Sequence, residues 1–495
     1  MAIIPLAEIP ARGSARHGAD AWAIRHGDDV ITWGELADRT LRRAHALRAA
    51  GIGKGDLVTL ALPNGSAFYE LMFALWTIGA TPHVVSSRLP LAELQAIVDV
   101  ARPKRVIASD LALREAFGAL PADFGRDYPE NAALAPVIAP RWKAMSSGGS
   151  TGRPKIIVAP GPNTIDSERK PPLRFPDHGP ILATGPVYHN MPVTTNIQAL
   201  FEGHSIIGMA RFDPEEALRL IELYGVKWTS FVPTMMMRIS RLPADVRARY
   251  DISSLETVWH WAAPMPTELK QEWIDWIGPE KIWELYGGTE GIVTTILNGN
   301  EWLAHRGSVG RAHLDKIKIV DEAGEELPRG EVGEIFALPA GGRGSTYSYI
   351  GADARTTRDG YETLGDFGWM DEDGYLYIAD RRTDMIVSGG ANIFPAEVEG
   401  ALMAHPGVEG AVVVGLPSDD LGAAAHAIVQ PTDAARGQLE PEELMAFLRE
   451  RLVPYKLPRS FEFVSTTLRD DAGKVRRQQL RDERIAQMQQ PQLQP

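Results

Sequence analysis

Hydrophobic and polar residues alternate with two different periods up to about residue 288. Short apolar runs typical of buried strands, such as residues 56–63 (DLVTLALP), are followed by stretches with helical spacing, such as residues 66–78. A second block of the same kind covers about residues 181–288. Strands that alternate with helices indicate βαβ units and a parallel sheet. The pattern therefore predicts an α/β fold with doubly wound sheets.

The pattern changes after about residue 303. From there to 380 the chain has short β runs separated by turns, which predicts antiparallel structure. A compact mixture of strand-like and helix-like runs follows, which predicts a small α+β domain. Residues 159–180, rich in proline and charge, are expected to form an exposed excursion. Residues 486–495 are expected to form a disordered, low-complexity tail.

Composition excludes several classes of function. The 495 residues include 51 Lys and Arg but 64 Asp and Glu, and the net charge of −13 disfavours nucleic acid as a partner. The absence of cysteine excludes disulfides, thiolate metal sites and a cysteine nucleophile. No apolar run reaches the roughly 18 residues of a membrane span, and the N-terminus lacks the features of a secretory signal. We therefore expect a cytoplasmic protein.

Residues 146–155 (SSGGSTGRPK) combine hydroxyls, glycines and a lysine. Glycines let backbone N–H groups approach an anion, hydroxyls add donors, and the lysine adds positive charge, which is what a polyphosphate requires. The alternative is a flexible turn between domains. The segment is not a Walker A loop, because it has no Gly-Lys-Ser/Thr ending. Its candidate phosphate-binding residues are Ser147, Gly149, Ser150, Thr151, Gly152 and Lys155.

A second candidate site is Tyr286-Gly287-Gly288-Thr289-Glu290. An aromatic ring can stack on a base, glycines permit close approach of the backbone, and a glutamate is a hard oxygen ligand for Mg²⁺. The alternative is a strand-to-loop turn whose glutamate is satisfied by neighbouring groups.

Two further segments carry charged residues near turns. Asp366 could accept hydrogen bonds from both hydroxyls of a ribose, and Arg381 could reach a phosphate. Ile378, in the same run (residues 375–382) as Arg381, is a further candidate nucleotide-binding residue. Turn chemistry and a solvated charge are the respective alternatives. Gly473-Lys474 would by itself indicate only an exposed, flexible turn.

Together these segments resemble the ANL superfamily, which contains acyl- and aryl-CoA synthetases, adenylation domains of peptide synthetases and luciferases. The motifs are collinear with those of the superfamily over roughly residues 20–480. Residues 388–399 (SGGANIFPAEVE) resemble the loop that opens its C-terminal domain, and residues 452–464 and 472–477 resemble the stretch that carries its catalytic lysine.

The resemblance implies an architecture. It implies a large N-terminal AMP-binding domain (residues 1–380) that includes a distorted β-barrel part, and a small mobile C-terminal domain (residues 384–485). Residues 381–382, with Thr383, would form the hinge between them. Rotation of the C-terminal domain would withdraw Lys474 and bring the loop of Gly389 and Gly390 to the pantetheine channel.

The resemblance also implies the chemistry. A carboxylic acid and MgATP would give an acyl-adenylate, and the CoA thiol would then attack its carbonyl. Lys474 would bridge the acyl carboxylate and the phosphate, Thr289 would hold the α-phosphate, Glu290 would bind Mg²⁺, and Asp366 would bind the ribose. Tyr286 would stack on the adenine, whose edge would be lined by Ala262, Ala263 and Pro264.

Two positions depart from the superfamily pattern. Gly148 replaces a hydroxyl residue of the phosphate loop, and Thr383 occupies a hinge position that is commonly Asp or Lys. An enzyme specialised for thioester formation from a supplied acyl-adenylate is therefore one alternative.

The acid is expected to be bulky and cyclic, either aryl or derived from a steroid or terpenoid. Ala262 and Ala263 are small, and the local sequence resembles ligases of bile acids and of polycyclic or aryl acids. His189 would line the acyl pocket or gate the thiol channel, unless it is a satisfied core histidine. A carrier-protein phosphopantetheine is the alternative acceptor to CoA.

The sequence gives less support to three other functions: a non-catalytic nucleotide-binding protein, a dinucleotide-binding oxidoreductase and a luciferase. Retention of Lys474, Glu290 and Asp366 disfavours a non-catalytic nucleotide-binding protein. The first βα unit lacks the Gly-x-Gly-x-x-Gly of a dinucleotide-binding oxidoreductase. Luciferase-type oxidation shares the same motifs and has no positive sign here. The sequence leaves the oligomeric state open, a homodimer included.

Overall fold

The computed structural model describes residues 2–148, 154–168, 171–311, 316–339, 341–382, 384–389, 391–470 and 473–489. Several residues that the sequence assigned to the phosphate loop, the hinge and the C-terminal loop lie outside these ranges. They are Gly149, Ser150, Thr151, Gly152, Thr383 and Gly390.

The α-helices of the described chain are α1 (Ile9–His17), α2 (Trp33–Ala49), α3 (Ser66–Thr77), α4 (Leu91–Ala101), α5 (Leu111–Phe117), α6 (Asn190–Glu202), α7 (Pro214–Tyr224), α8 (Pro233–Ser240), α9 (Ala244–Arg247), α10 (Thr267–Ile277), α11 (Gly299–Ala304), α12 (Pro395–Met403), α13 (Pro441–Arg449) and α14 (Arg477–Gln489). Two short 3₁₀ helices cover Leu6–Glu8 and Pro454–Lys456.

The strands are β1 (Ile3–Pro5), β2 (Trp22–His26), β3 (Asp29–Thr32), β4 (Leu57–Ala61), β5 (Thr81–Val85), β6 (Arg105–Ala108), β7 (Leu120–Pro121), β8 (Ala144–Gly148), β9 (Pro154–Val158), β10 (Thr164–Asp166), β11 (Ile181–Ala183), β12 (Ile206–Gly208), β13 (Trp228–Phe231), β14 (Thr257–His260), β15 (Ile282–Gly287), β16 (Thr294–Asn298), β17 (Ser308–Arg311), β18 (Ile317–Val320), β19 (Gly333–Ala337), β20 (Ser348–Ile350), β21 (Glu362–Met370), β22 (Tyr375–Arg381), β23 (Ile386–Ser388), β24 (Ala391–Ile393), β25 (Val408–Ser418), β26 (Gly422–Pro431) and β27 (Ser460–Phe463).

Two large sheets form the N-terminal part. One has the strand order β20-β9-β8-β5-β4-β6-β7, and the other the order β18-β19-β21-β22-β17-β16-β15-β14-β13-β11-β12-β2-β3. The central pairs of both sheets are parallel, as the βα alternation predicts. From β15 to β18 the second sheet becomes antiparallel. The predicted β region after residue 303 is thus a continuation of this sheet.

Helix α3 lies in the core that joins the two sheets. Nearly all of its side chains are buried, which explains why its sequence (SAFYELMFALWT) is apolar around the whole helix. One core cluster contains its residues together with Val58 and Val84 of the first sheet and Ile206 and Val258 of the second. Because α3 packs against both sheets, this shared core holds the two sheets together.

The C-terminal domain has its own core. Strands β25 and β26 are antiparallel, β27 is parallel to β26, and α12 and α13 pack on the sheet around Val398, Leu402 and Leu448. A second cluster on the other face includes Leu468 and the partly buried Val475 and Leu480, so that α14 also packs on β25. The predicted small α+β domain is confirmed.

Two local predictions were wrong. The described part of the segment 159–180 is not an exposed excursion throughout, since Asn163 is fully buried and the carbonyl of buried Leu173 accepts hydrogen bonds from the indoles of Trp228 and Trp259 at 2.7 and 2.9 Å. The start of the predicted tail is helical, because α14 continues to Gln489. In both places the polar composition predicted an exposed or disordered segment. A polar segment can nevertheless be held in place by regular structure or by a few buried groups.

Candidate active site

A cleft of about 2820 Å³ lies where the two large sheets meet the C-terminal domain. Most of the predicted site residues that the structure describes line this cleft. They are Lys155, His189, Ala262, Ala263, Pro264, Tyr286, Gly287, Gly288, Thr289, Glu290, Asp366, Ile378, Arg381 and Lys474. Residues more than 300 positions apart in the sequence are therefore brought to one site.

Glu290 is the buried acidic centre of the cleft. It follows β15, the last parallel strand before the antiparallel part, and only 7% of it is exposed. Its Oε1 accepts a hydrogen bond from the hydroxyl of Tyr349 at 2.6 Å and pairs with Nζ of Lys155 at 3.2 Å. Lys155 in turn donates to the Tyr349 hydroxyl at 2.9 Å. The three side chains form a closed polar triangle.

The glycines before Glu290 are required by close packing. A Cβ on Gly287 would lie 2.7 Å from the carbonyl oxygen of Val293, and one on Gly288 would lie 2.7 Å from Leu364 and 2.9 Å from Oε2 of Glu290. A side chain at Gly288 would therefore displace the carboxylate. Small residues here keep the backbone close to the cleft, as the motif predicts.

Asp366 lies in β21 and is 6% exposed, so it is not a solvent-facing turn residue. Its Oδ2 accepts the Tyr286 hydroxyl at 2.8 Å, and its Oδ1 pairs with Nε of Arg381 at 3.3 Å. Burial and the Asp366 charge hold the pKa of Tyr286 well above its usual range, so the phenol stays protonated and donates. The Asp366 charge likewise raises the pKa of Arg381.

Lys474 is presented by a tight turn of the C-terminal domain. Its N–H donates to Oδ1 of Asp470 at 2.9 Å, and Gly473 has a left-handed φ of +74°. The lysine side chain is solvent-accessible within the cleft, yet the surrounding protein and the Arg381 charge lower its pKa. The described part of the turn, Gly473 and Lys474, is thus bonded to Asp470 of its own domain while the lysine side chain stays accessible to the cleft.

The lysine turn is docked against the N-terminal part. A Cβ on Gly473 would lie only 3.1 Å from Oγ1 of Thr234, closer than ordinary van der Waals contact, so the glycine lets the turn lie close to the N-terminal part. Arg476 pairs with Glu93 at 2.8 Å, and Arg241 donates to main-chain carbonyls of Val408 and Glu409. These contacts place Lys474 in the same cleft as Glu290.

His189 immediately precedes α6. Its Nε2 is buried and has no hydrogen-bond partner in the described part of the chain, so the ring is not a satisfied core histidine. Burial, and then the nearby charge of Lys474, lower the pKa of His189 to about 3. The imidazole is therefore neutral near pH 7, and His189 and Lys474 both line the cleft.

Ala262 lies in the wall of the large cleft, whereas Gly389 lies outside it. Ala262, which follows β14, has a left-handed φ of +73°, which is rare for a residue with a side chain and places backbone strain at the cleft wall. Gly389 lies in a separate cavity of about 200 Å³ with Leu421 and Tyr455. Of the predicted phosphate loop, Ser147 lies in β8 opposite Lys155 of β9.

Two polar residues of the cleft, Tyr349 and Lys143, were not predicted from the sequence. Tyr349 lies on β20, which pairs with β9 and so reaches Lys155 and Glu290. Lys143, just before β8, lies in the cleft wall and is buried. A tyrosine in a Gly/Ser-rich run and a lysine before a strand carry no specific signal, so only the tertiary pairing identifies them.

Family comparisons match both parts of the chain. The sequence model described as AMP-binding enzyme matches residues 11–340, and the model described as AMP-binding enzyme C-terminal domain matches residues 397–474. Within the described residues, no helix is both long enough and apolar enough to cross a bilayer.

The chain is similar to named relatives over nearly its whole length. It is 32% identical to a feruloyl-CoA synthase of Amycolatopsis sp, over 94% of this chain and 96% of that protein. It is 29% identical to a 2-succinylbenzoate–CoA ligase of Bacillus licheniformis, over 93% and 96%. The solved o-succinylbenzoate CoA synthetase of Bacillus subtilis, in complex with an acyl-adenylate intermediate, superposes with a TM-score of 0.80 at 23% identity, covering 97% of this chain and 99% of that one.

Proposed function

We propose that this chain, which belongs to the AMP-binding enzyme family of the ANL superfamily and is an AMP-forming acid–thiol ligase, activates a bulky cyclic or aryl carboxylic acid as its acyl-adenylate and transfers the acyl group to CoA. The observation that carries the proposal is the docking of Lys474 in the cleft that holds Glu290 and Asp366.

ATP is proposed to bind along the cleft from Asp366 to the phosphate loop. The free lone pairs of the Asp366 carboxylate would accept the ribose hydroxyls, and Tyr286, tethered to Asp366, would present its ring to the adenine. Ala262–Pro264 and Ile378 would border the base. Lys155 and the loop 146–155 would surround the terminal phosphates, with donors from Ser147 onward, and Arg381 and Thr289 would approach the α-phosphate.

Glu290 fits a magnesium ligand. It is a buried hard carboxylate in the cleft, and a single carboxylate suits a magnesium ion whose other ligands are phosphate oxygens and water. Bound Mg²⁺ would neutralise charge on the phosphate oxygens. The contribution of the chain is orientation: Tyr349 and Lys155 both hold Oε1 of Glu290 in place.

In the proposed first step, the acid carboxylate attacks the α-phosphorus of ATP and pyrophosphate leaves. An ammonium placed between the carboxylate and the phosphate draws the two anions together and offsets the negative charge of the transition state. The presence of Lys474 in the same cleft as Arg381 and Glu290 supports this role. The neutral His189 would border the acyl group without adding charge.

In the proposed second step, the CoA thiol attacks the adenylate carbonyl and AMP leaves. We propose that the C-terminal domain rotates about residues 381–383, so that Lys474 leaves the cleft and the loop of Gly389 and Gly390 enters it. The position of Gly389 outside the large cleft, while Lys474 is inside, supports such an exchange. The proposed domains are then residues 1–380 and 384–485.

The proposed class of acid rests on the relatives. Two of them are named for aromatic acids, ferulate and 2-succinylbenzoate. A relative 30% identical over 94% of this chain is named a fatty acid–[acyl-carrier-protein] ligase, so a carrier-protein phosphopantetheine is the second candidate acceptor.

The test is ATP-dependent pyrophosphate release across a panel of acids, from short-chain to aryl to polycyclic, with and without CoA. We expect release with aryl or polycyclic acids and an acyl-CoA product of the corresponding mass. The Lys474→Ala variant is the matched control for background release. Release only with short-chain acids would refute the substrate class, and acyl transfer to a phosphopantetheinylated carrier protein but not to CoA would refute the acceptor.

A further inference from the structure

Lys143 is a buried ammonium without a carboxylate partner. It is 4% exposed, and among the described residues no charged neighbour contributes to the shift of its pKa, which burial alone causes. Nζ instead donates to Oδ1 of Asn190 at 2.5 Å and to Oγ1 of Thr194 at 2.6 Å. The Thr194 hydroxyl gives its own proton to the carbonyl of Asn190, so toward Lys143 it can only accept.

The surroundings of this ammonium lack negative charge. Asn190 and Thr194 belong to the first turn or so of α6, whose helix dipole places positive potential there. The face of the Trp142 ring, centred 4.1 Å from Nζ, offers only a weak partial charge. Burial lowers the pKa of Lys143 to about 7. A cation in such a place is costly unless an anion joins it.

The position of Lys143 connects this group to the reacting end of the cleft. Lys143, Asn190 and Thr194 all line the cleft. Asn190 follows His189, whose pKa is lowered in part by the charge of Lys474. In the protonated form two of the three ammonium protons are used, and the described residues supply no oxygen acceptor for the third. The third proton and the α6 N-terminus together suit an anionic oxygen from the cleft.

We infer that Lys143 and the first turn of α6 form a subsite for a second anionic group, a carboxylate remote from the one that is activated, so that the preferred acids are dicarboxylic. This inference rests on the proposed function for its substrate but assigns a residue and a substituent that the proposed function does not. Lys143 is here a specificity-determining residue, and Lys474 remains the group that acts on the reacting carboxylate.

Matched acids test the inference. In each pair one acid carries a remote carboxylate and the other the neutral, isosteric amide: 4-carboxycinnamate with 4-carbamoylcinnamate, terephthalate with its half-amide, and suberate with its half-amide. We expect the wild-type protein to favour the carboxylate member of at least one pair by about 10- to 100-fold in kcat/KM, the range for a hydrogen bond to a charged group. Equal use of both members in every pair would overturn the inference.

Two variants separate charge from shape. Lys143→Met removes the charge at similar volume, and Lys143→Gln keeps a donor but removes the charge. Both should lose the preference for the carboxylate member while retaining the kcat/KM for the amide member. Lys104→Met, an exposed lysine away from the cleft, should change neither. An equal loss for both members of a pair would indicate a structural role only and would contradict the inference.

Calorimetric binding of the same pairs to the same variants keeps the two proposals distinguishable. Carboxylate-selective binding that depends on Lys143 but is followed by no turnover would support the subsite and refute the proposed ligase substrate. Turnover of both members of a pair without selectivity for the carboxylate would support the proposed ligase activity and refute the Lys143 subsite. The kcat/KM for the carboxylate member should fall as the pH rises through about 7, where free Lys143 loses its proton, and that fall should be absent from Lys143→Gln.

Discussion

Removal of the Tyr349 hydroxyl tests whether the polar triangle orients Glu290. In Tyr349→Phe, Oε1 of Glu290 loses a 2.6 Å hydrogen bond and keeps only the 3.2 Å contact with Lys155. A bond of this length to an ionised acceptor is of the strong, charge-assisted kind. Because only 7% of Glu290 is exposed, water replaces the lost donor poorly.

The expected magnitude follows from that environment. Hydrogen bonds to charged groups contribute about 1.5–3 kcal/mol, and each 1.36 kcal/mol is tenfold, so we expect kcat/KM for MgATP to fall about 10- to 150-fold. The fall should be accompanied by a need for more Mg²⁺ at half-maximal rate, since Lys155 then competes with the metal for an unrestrained carboxylate. Stability should also fall, by about 1–3 kcal/mol, so the rates are compared at a temperature at which both proteins are folded.

The assay is steady-state pyrophosphate release at varied Mg²⁺ and fixed acid. The control is Tyr250→Phe, since the Tyr250 hydroxyl also donates to a glutamate, Glu215, at 2.8 Å, but on the protein surface outside the cleft. The control should retain wild-type kinetics. If Tyr349→Phe kept its MgATP dependence, or if both variants lost activity to the same extent, the orienting role of Tyr349 would be wrong.

Three further predictions address the same cleft. Lys474→Ala should abolish pyrophosphate release but largely spare thioester formation from synthetic acyl-AMP, and an equal loss of both rates would contradict the exchange of domains. Asp366→Ala should raise the KM for ATP and slow adenylation, because the ribose contact and the Tyr286 tether are both lost; an unchanged ATP dependence would refute it. Since burial lowers the pKa of His189 to about 3, its imidazole is neutral from pH 5 to 8, and His189→Asn should leave the ionisations of the pH–rate profile of pyrophosphate release where they are. A shifted or lost ionisation in that range would contradict a neutral His189.

Local sequence signals sufficed for individual elements. Helix α7 begins at Pro214 after the capping residue Asp213, whose side chain accepts from Glu216 N–H, and it ends at the left-handed Gly225. Every one of these signals is visible in the sequence. The joining of β2 to β12 across some 180 residues is not, because a parallel pairing between distant strands leaves no local pattern. The continuity of the second sheet therefore required the structure.

The same distinction holds for the cleft. Tyr286 and Glu290 could be singled out because their motif suggests a chemistry from residue type and spacing, whereas Lys474 was singled out only by the resemblance to the superfamily. Tyr349 reaches Glu290 only because β20 pairs with β9, with Tyr349 opposite Ile157. Lys143 acquires its meaning only from burial against α6. Tyr349 and Lys143 belong to no recognisable motif, and only their tertiary surroundings single them out. The sequence analysis therefore missed them.

The contacts that hold Lys474 in the cleft are suited to being broken. The Arg476–Glu93 pair is half-exposed on both sides, and such pairs contribute about 0–1 kcal/mol. Gly473 lies beside Thr234, and Arg241 reaches the C-terminal domain through hydrogen bonds to main-chain carbonyls. By contrast, the main-chain N–H of Lys474 is bonded within its own domain, to Oδ1 of Asp470. These contacts fit the proposed two-step reaction, in which Lys474 would lie in the cleft while the adenylate forms and would leave it before the CoA thiol attacks.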